Sequence, residues 1–206
     1  MKPGGALRRR LLFCAATAVW LSLVFAGTAA LMRYKNTAGA QLDAPSRWPN
    51  ESRLLRVSGK ATLVMAAHPH CPCTRASLTE LERLLSRTQG RMHAVLLFVR
   101  PQGAPSRWED TDLWQRASSM AGVQIVLDPG GAEARRFHAL TSGQTALYAP
   151  DGELLFSGGI TAARGHEGDS VGRAYILAAL EGTRLPHPNA PVFGCALDSP
   201  DNGGKP

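Results

Sequence analysis

The chain has 206 residues, of which 44% are hydrophobic, and a formal net charge of +7. Six of its 23 basic residues fall within residues 1–35, which contain no acidic residue, so the remainder has 17 basic and 16 acidic residues. This near balance leaves no basic stripe and argues against a nucleic-acid partner. The length suits one domain with a single core behind a short N-terminal segment.

The first predicted element is a membrane-spanning helix over residues 11–32. No charged residue interrupts this stretch, which is about long enough to cross a bilayer. More basic residues precede it than follow it: Lys2, Arg8, Arg9 and Arg10 come before, and Arg33 and Lys35 after. This bias predicts that residues 1–10 stay in the cytosol and that the domain lies on the periplasmic side of the inner membrane. Small residues at 26–30 also fit a signal-peptidase site, so cleavage is the alternative to a signal anchor.

Two polar segments flank a predicted domain over residues 58–185. Residues 33–57 are polar and contain proline without an apolar period, which predicts a tether between membrane and domain. Residues 186–206 contain too much proline and glycine for regular structure. We therefore expect one domain between a tether and an irregular C-terminal tail.

Within the domain, apolar runs alternate with amphipathic stretches. Short apolar runs predict strands, and apolar residues at helical spacing predict helices. Strands are expected at 61–67, 93–99, 123–128, 144–149 and 153–159, and helices at 74–87, 109–121, 132–139 and 170–180. The turn Pro150-Asp151-Gly152 joins the last two strands in a predicted hairpin. This order predicts an α/β fold, in which a mixed central sheet carries helices on both faces.

The stretch AAHPHCPCTR, residues 66–75, has the densest set of reactive side chains. Cys71 and Cys73 lie where the first strand runs into the first helix. The positive end of a helix dipole favours thiolate over thiol, and thiolate is the nucleophile in disulfide exchange. Protonated His68 or His70 would strengthen this field. The sequence therefore predicts a reactive thiol site at the two cysteines.

The strand, the cysteine turn, the amphipathic helix and the late hairpin resemble the thioredoxin-like superfamily over about residues 58–182. Membrane-tethered members place beside their redox site a segment similar to QTALYAPDGELLFSGG. The poorly characterised RedB-like group resembles this chain in HPHCPCTRASLTEL and GGITAARGHEGDSVGR. The resemblance implies a thioredoxin-like fold and a membrane-anchored thiol–disulfide oxidoreductase that acts on protein thiols or disulfides and requires no cofactor. It also implies Cys71, at the exposed end of the loop, as the attacking thiolate and Cys73 as the resolving partner, with the reverse assignment open.

The sequence departs from the thioredoxin pattern in two places. Only Pro72 separates the two cysteines, and the smaller ring of a Cys-x-Cys disulfide is expected to be strained and more easily reduced. Gln144 stands where the family places a cis-proline before the late strand. Loss of that proline favours metal binding over oxidoreductase activity.

A metal-binding module is the second hypothesis. Thiolate and imidazole suit copper and zinc, and four such groups lie within six residues: His68, His70, Cys71 and Cys73. The third hypothesis is a non-catalytic thioredoxin-like scaffold that docks partners. In that case Cys71 and Cys73 form an inert bridge, or the disulfide bond runs to Cys195 instead.

Two further features are candidate parts of the site. Cys195 is the third cysteine of the exported portion, and it is able to resolve a bond with Cys71 or Cys73, to pair structurally, or to bind a metal. The glycine-rich loop over 157–173 carries Arg164 and His166. This loop is either a solvated turn or a flap over the cysteines, with His166 as proton carrier, ligand or substrate contact.

Overall fold

The chain divides into two compact units, Met1–Asn36 and Thr37–Pro206. A computed structural model describes residues 4–183 and 188–198. Helix α1, Gly4–Asn36, makes up the first unit and is long and apolar enough to cross a membrane. It extends beyond the predicted 11–32 at both ends. The apolar N-terminal helix is confirmed. Its orientation in the membrane, and whether it stays attached or is cleaved, remain predictions.

The second unit is built on a six-stranded mixed sheet with the order β3-β2-β1-β4-β5-β6. The strands are β1 Ala61–Ala67, β2 Met92–Arg100, β3 Val123–Pro129, β4 Gln144–Tyr148, β5 Leu154–Gly159 and β6 Asn189–Ala190. Strands β1, β2 and β3 are mutually parallel, whereas β4 is antiparallel to both β1 and β5. Four helices accompany them: α2 Pro72–Thr88, α3 Asp112–Ser118, α4 Ala132–Arg136 and α5 Val171–Leu180.

Alternate residues of the central strands bury opposite faces of the sheet. On one face Leu63 and Met65 of β1 pack in a core with α2, α3 and α5. Helix α2 contributes Leu78, Leu81 and Leu84 to this core. On the other face Val64 packs in a cluster that includes Phe137, just beyond α4. The predicted α/β architecture, with helices on both faces of a mixed sheet, is confirmed.

The helix boundaries differ from prediction for local reasons. Helix α2 begins at Pro72, two residues early, because proline fits the first helical position, where its missing N–H has no partner to lose. Helix α3 begins after Thr111, whose side-chain oxygen accepts a hydrogen bond from the Trp114 N–H at 3.3 Å. It is therefore shorter than the predicted 109–121.

The predicted tether differs most from expectation. Residues 33–36 belong to α1, and much of the remainder packs on the domain. The N–H of Trp48 donates to the Gly152 carbonyl at 2.8 Å, and the Trp48 ring lies edge-on to Phe137 and Tyr148. Ala44 and Leu54 are buried. An extended linker is therefore the wrong description of residues 39–54, which cover one face of the sheet.

The predicted irregular tail also contains regular structure. Residues 189–190 form β6, which pairs with β5. This pairing requires glycine at position 158 of β5, because a Cβ on Gly158 would lie 2.2 Å from the Ala190 carbonyl oxygen. Val192 and Leu197 are buried farther along the segment. Residues 184–187 and 199–206 lie outside the described part of the chain, and His187 is among them.

Candidate functional site

Cys71 lies at the start of helix α2, where the sequence predicts it. It is the N-cap residue, with extended backbone angles, and Pro72 follows at the first helical position. The Cys71 N–H donates to the His68 carbonyl at 3.1 Å, and the Cys71 carbonyl accepts from the Thr74 N–H at 3.0 Å. The turn after β1 therefore holds the sulfur at the positive end of the helix.

The sulfur of Cys71 lies in contact with the sulfur of Cys195. Their Sγ atoms lie 2.9 Å apart, and Cys71, Cys73 and Cys195 are all free thiols. Cys71 is fully buried, so the expectation that it lies at the exposed end of the loop is wrong. The C-terminal segment places Cys195, which is partly exposed, next to Cys71.

A short antiparallel pairing brings Cys195 to this position. The Ser142 N–H donates to the Cys195 carbonyl at 2.8 Å, Thr141 forms a bridge with Ala196, and the Leu197 N–H donates to the Leu140 carbonyl at 2.9 Å. These contacts bring residues 194–197 alongside 140–142, just before β4. Sequence reasoning missed this pairing because neither segment has a strand pattern.

Ser142 and Thr74 connect this loop to the cysteine turn, and sequence reasoning missed both. The Ser142 hydroxyl accepts from the His68 N–H at 2.9 Å and lies 2.8 Å from Thr74 Oγ1. Thr74 Oγ1 also donates to the His68 carbonyl at 3.0 Å. All three residues are buried, and isolated hydroxyls carry no spacing signal. The network fixes the loop before β4 against the start of α2.

The three thiols have different proton affinities. Hydrogen bonds from the Cys195 and Cys73 thiols, assisted by their backbone N–H groups, hold the pKa of Cys71 well below its usual range despite burial. The pKa of Cys195 is raised, because its thiol donates to Cys71 and Cys73 and because burial disfavours its charge. The pKa of Cys73 is also raised: a hydrogen bond with Cys195 lowers it, but its hydrogen bond to Cys71, burial and the Cys71 charge outweigh this. Of the three thiols, Cys71 therefore gives up its proton most readily.

We expect the reduced chain to carry one thiolate at pH values well below about 8.5, the ordinary cysteine pKa. Below that value the unfolded chain binds a proton that folded Cys71 does not, so this stabilising contribution is complete above about pH 8.5 and is lost as pH falls towards the folded pKa. Cys73 and Cys195 have the opposite effect, which appears only above about pH 8.5. The ultraviolet absorbance of thiolate, followed against pH in the reduced wild-type chain and in reduced Cys71→Ser, measures the fraction of Cys71 that is deprotonated. Equal absorbance from the two proteins at about pH 6 would contradict it.

The imidazoles of the predicted metal set are engaged elsewhere. His70 Nε2 lies 2.7 Å from the Trp108 carbonyl oxygen, and His68 Nδ1 accepts from the His70 N–H at 3.2 Å. Both rings pack against the Trp108 ring. Within residues 4–183 and 188–198, no group of three or more His, Cys, Asp or Glu side chains is arranged to hold a metal ion. The set of His68, His70, Cys71 and Cys73 therefore does not fit copper or zinc as it stands.

The glycine-rich loop approaches the thiols through Arg164. Its guanidinium donates to the Gly194 carbonyl, directly before Cys195, and to the Thr37 carbonyl at 3.2 Å. Its charge also acts on Cys73. His166 is exposed, and no described contact joins its ring to the thiols. Of the two predicted loop residues, the structure brings only Arg164 to the cysteines.

Comparisons with known proteins concern the fold. No family model matches the chain, and no curated protein matches its sequence. An uncharacterized conserved protein from Geobacillus kaustophilus is similar at 19% identity and a TM-score of 0.56, over 80% of this chain and 93% of that one. A hypothetical protein from Sinorhizobium meliloti has 18% identity, the same TM-score and the same coverage.

A third similar structure is a secreted Mycobacterium tuberculosis disulfide oxidoreductase homologous to E. coli DsbE. It has 12% identity and a TM-score of 0.42, over 61% of this chain and 83% of that one. In the present chain, β1 leads into the cysteine turn and α2, parallel β2 lies on one side of β1, and antiparallel β4 followed by β5 lies on the other. The fold is thioredoxin-like.

Gln144 begins β4 of this thioredoxin-like domain, at the position predicted for the missing cis-proline. No cis peptide bond occurs among the residues described. Gln144 Nε2 donates to the Leu42 carbonyl at 2.9 Å and to the His138 carbonyl at 3.1 Å, and Oε1 accepts from the Leu140 N–H at 2.9 Å. The buried amide thus fastens the loop that pairs with the Cys195 segment.

Proposed function

We propose that this chain is a membrane-anchored thiol–disulfide oxidoreductase of the inner membrane, with its thioredoxin-like domain on the periplasmic side and its partners among protein thiols and disulfides. We include it with the RedB-like group on the motifs given above. The observation that carries the proposal is the 2.9 Å approach of Cys195 Sγ to Cys71 Sγ at the start of α2. Helix α1 serves as the anchor.

The proposed reaction exchanges one disulfide for another. The Cys71 thiolate attacks one sulfur of a substrate disulfide, and the S–S bond of the substrate breaks as a mixed disulfide forms. The first substrate sulfur leaves as a thiolate and takes up a proton. A second thiol of the site then attacks the Cys71 sulfur, which releases the second substrate thiol and leaves the chain with one disulfide. Two electrons pass from the chain to the substrate. Because Cys71 reacts as a thiolate, one of the two protons that the substrate thiols take up comes from the resolving thiol and the other from solvent, and the reverse sequence oxidises a dithiol.

Cys195 is the better-placed resolving thiol. Its sulfur already contacts Cys71, whereas a Cys71–Cys73 bond closes the small ring of a Cys-x-Cys sequence. Cys73 shares the hydrogen-bonded group and remains a second candidate. We therefore assign Cys71 as the nucleophile, Cys195 as its main partner and Cys73 as the third thiol of the site.

A redox titration of the full-length chain tests this function. In glutathione buffers of increasing oxidising strength, wild type and Cys73→Ser are expected to form reversibly a disulfide that peptide mapping assigns to Cys71 and Cys195. Cys195→Ser is expected to lose that disulfide and to oxidise only under more strongly oxidising conditions. Cysteines that never interconvert reversibly would exclude an oxidoreductase. A Cys71–Cys73 bond in wild type would exclude Cys195 as the main partner.

A further inference from the structure

The segment Gly194–Leu197 lies against the Cys71 sulfur and pairs with residues 140–142. We propose, on the basis of the function proposed above, that this segment occupies the site at which a substrate peptide binds. The substrate is an extended polypeptide that pairs with residues 140–142, with a small residue before its cysteine and an aliphatic side chain two residues after it. The substrate displaces residues 194–197 and brings its own cysteine to Cys71.

Access to Cys71 requires this displacement. Cys71 is fully buried, and the sulfur of Cys195 lies in contact with it. A substrate sulfur that attacks or is attacked at Cys71 must approach to bonding distance, which is the space that Cys195 fills. The segment is therefore a removable cover over the reactive sulfur.

The backbone contacts of the segment are ones that any extended peptide is able to repeat. They consist of the Ser142 N–H to the Cys195 carbonyl, the bridge of Thr141 with Ala196, and the Leu197 N–H to the Leu140 carbonyl. Strand addition of this kind supplies affinity through main-chain hydrogen bonds and leaves specificity to alternate side chains. A substrate strand that makes the same bonds replaces the segment without leaving the loop unpaired.

The position before the cysteine accepts only a very small residue. A Cβ on Gly194 would lie 1.9 Å from the Ser142 carbonyl oxygen and 3.2 Å from Thr141 Cγ2. Backbone at the first contact is not able to move away as a flexible side chain does. A substrate in the same register therefore needs glycine at this position, or a shift of the loop.

The position two residues after the cysteine faces an apolar pocket. Leu197 is 4% exposed and packs with Ala66, Val99, Ala134 and Ala139. These small side chains leave a depression that a leucine fills. A groove of about 510 Å³ borders Leu197 and continues past Val99 and Ala134, which gives room for the chain beyond that residue.

Binding of a peptide without a thiol tests the proposal. The probe is a fluorescent peptide of residues 191–198 with Cys195→Ser, and its matched control also carries Leu197→Asp. Fluorescence anisotropy measures binding to the full-length chain in detergent, as wild type, as Leu197→Ala and as Gly194→Ala. Both protein variants weaken the chain's own segment and leave residues 140–142 unchanged. Leu55→Ala, at a leucine that is 78% exposed, is the protein control.

We expect the probe to bind the Leu197→Ala and Gly194→Ala chains at least ~10-fold more tightly than wild type or Leu55→Ala, which corresponds to about 1.4 kcal/mol. The Leu197→Asp peptide should not bind any of them. Equal affinity for the two peptides, or no increase in probe affinity in either protein variant, would overturn the proposed substrate groove. The probe carries no thiol, so its binding does not depend on redox activity. Selective binding without reversible redox behaviour would support the substrate groove and reject the oxidoreductase function. Reversible redox behaviour without selective binding would support the oxidoreductase function and reject the groove.

Discussion

Replacing Cys71 by serine is expected to lower the rate of disulfide exchange by at least about 1,000-fold, because loss of an attacking nucleophile removes the covalent step itself. Cys71 is also the thiol whose pKa is held low, whereas the pKa values of Cys73 and Cys195 are raised. Neither neighbour therefore supplies an equivalent thiolate near neutral pH. The rate of reduction of a small protein disulfide by the full-length reduced chain measures the loss.

Cys14 provides the matched control. It is an exposed cysteine of helix α1, and Cys14→Ser should retain the wild-type rate. Cys195→Ser should fall between the two, because Cys73 remains to resolve the mixed disulfide. A Cys71→Ser chain as active as Cys14→Ser would show that another sulfur attacks, and the assignment of the nucleophile would be wrong.

The second large effect is expected at Glu80, which is fully buried in helix α2. Its carboxylate accepts from Arg173 and Arg83 and from the Gly168 N–H at 2.7 Å. Glu80→Gln leaves the buried Arg173 guanidinium without its main counter-charge. Such losses cost about 3–5 kcal/mol, so we expect the free energy of unfolding to fall by that amount. Chemical denaturation followed by tryptophan fluorescence measures it.

Glu82→Gln is the control for this experiment. Glu82 pairs with Arg116 at 2.9 Å, and both side chains are partly exposed, so the change should cost less than about 1 kcal/mol. Glu80 also holds the loop that carries Arg164, through the Gly168 N–H. We therefore expect Glu80→Gln to increase the alkylation of Cys71 as well. Equal stability of Glu80→Gln and Glu82→Gln would contradict the structural role of the buried pair.

The central strands and helix α2 are predictable because their signals are local. Residues 63–67 and 94–99 are continuous apolar runs, and the structure buries them on both faces of the sheet. The segment over 39–54 is not predictable in this way. It is fixed by single anchors such as Trp48 and Leu54, without a period, and by pairing with residues far along the chain.

The same contrast divides the site. The position of Cys71 at a helix start follows from the neighbouring strand and helix patterns. Its burial beneath Cys195 does not, because the two residues are separated by 124 positions and no periodic pattern encodes that contact. Ser142 and Thr74 escape prediction for the related reason that a buried hydroxyl is recognised only by its partners. The thiol chemistry was predicted from neighbouring residues in the sequence, whereas the contacts that complete the site in three dimensions were not.

The disulfide proposed between Cys71 and Cys195 would also link folding to redox state, because the two residues lie far apart in the chain. A cross-link that closes a loop of more than 100 residues raises the free energy of the unfolded chain by about 4.7 kcal/mol in the chain-entropy model. For a two-electron couple this corresponds to about 100 mV of reduction potential. Reduction should therefore lower the melting temperature, and denaturation should make the disulfide easier to reduce. Because each equilibrium shifts the other by the same free energy, a reductant strong enough to open the site also brings the chain closer to unfolding.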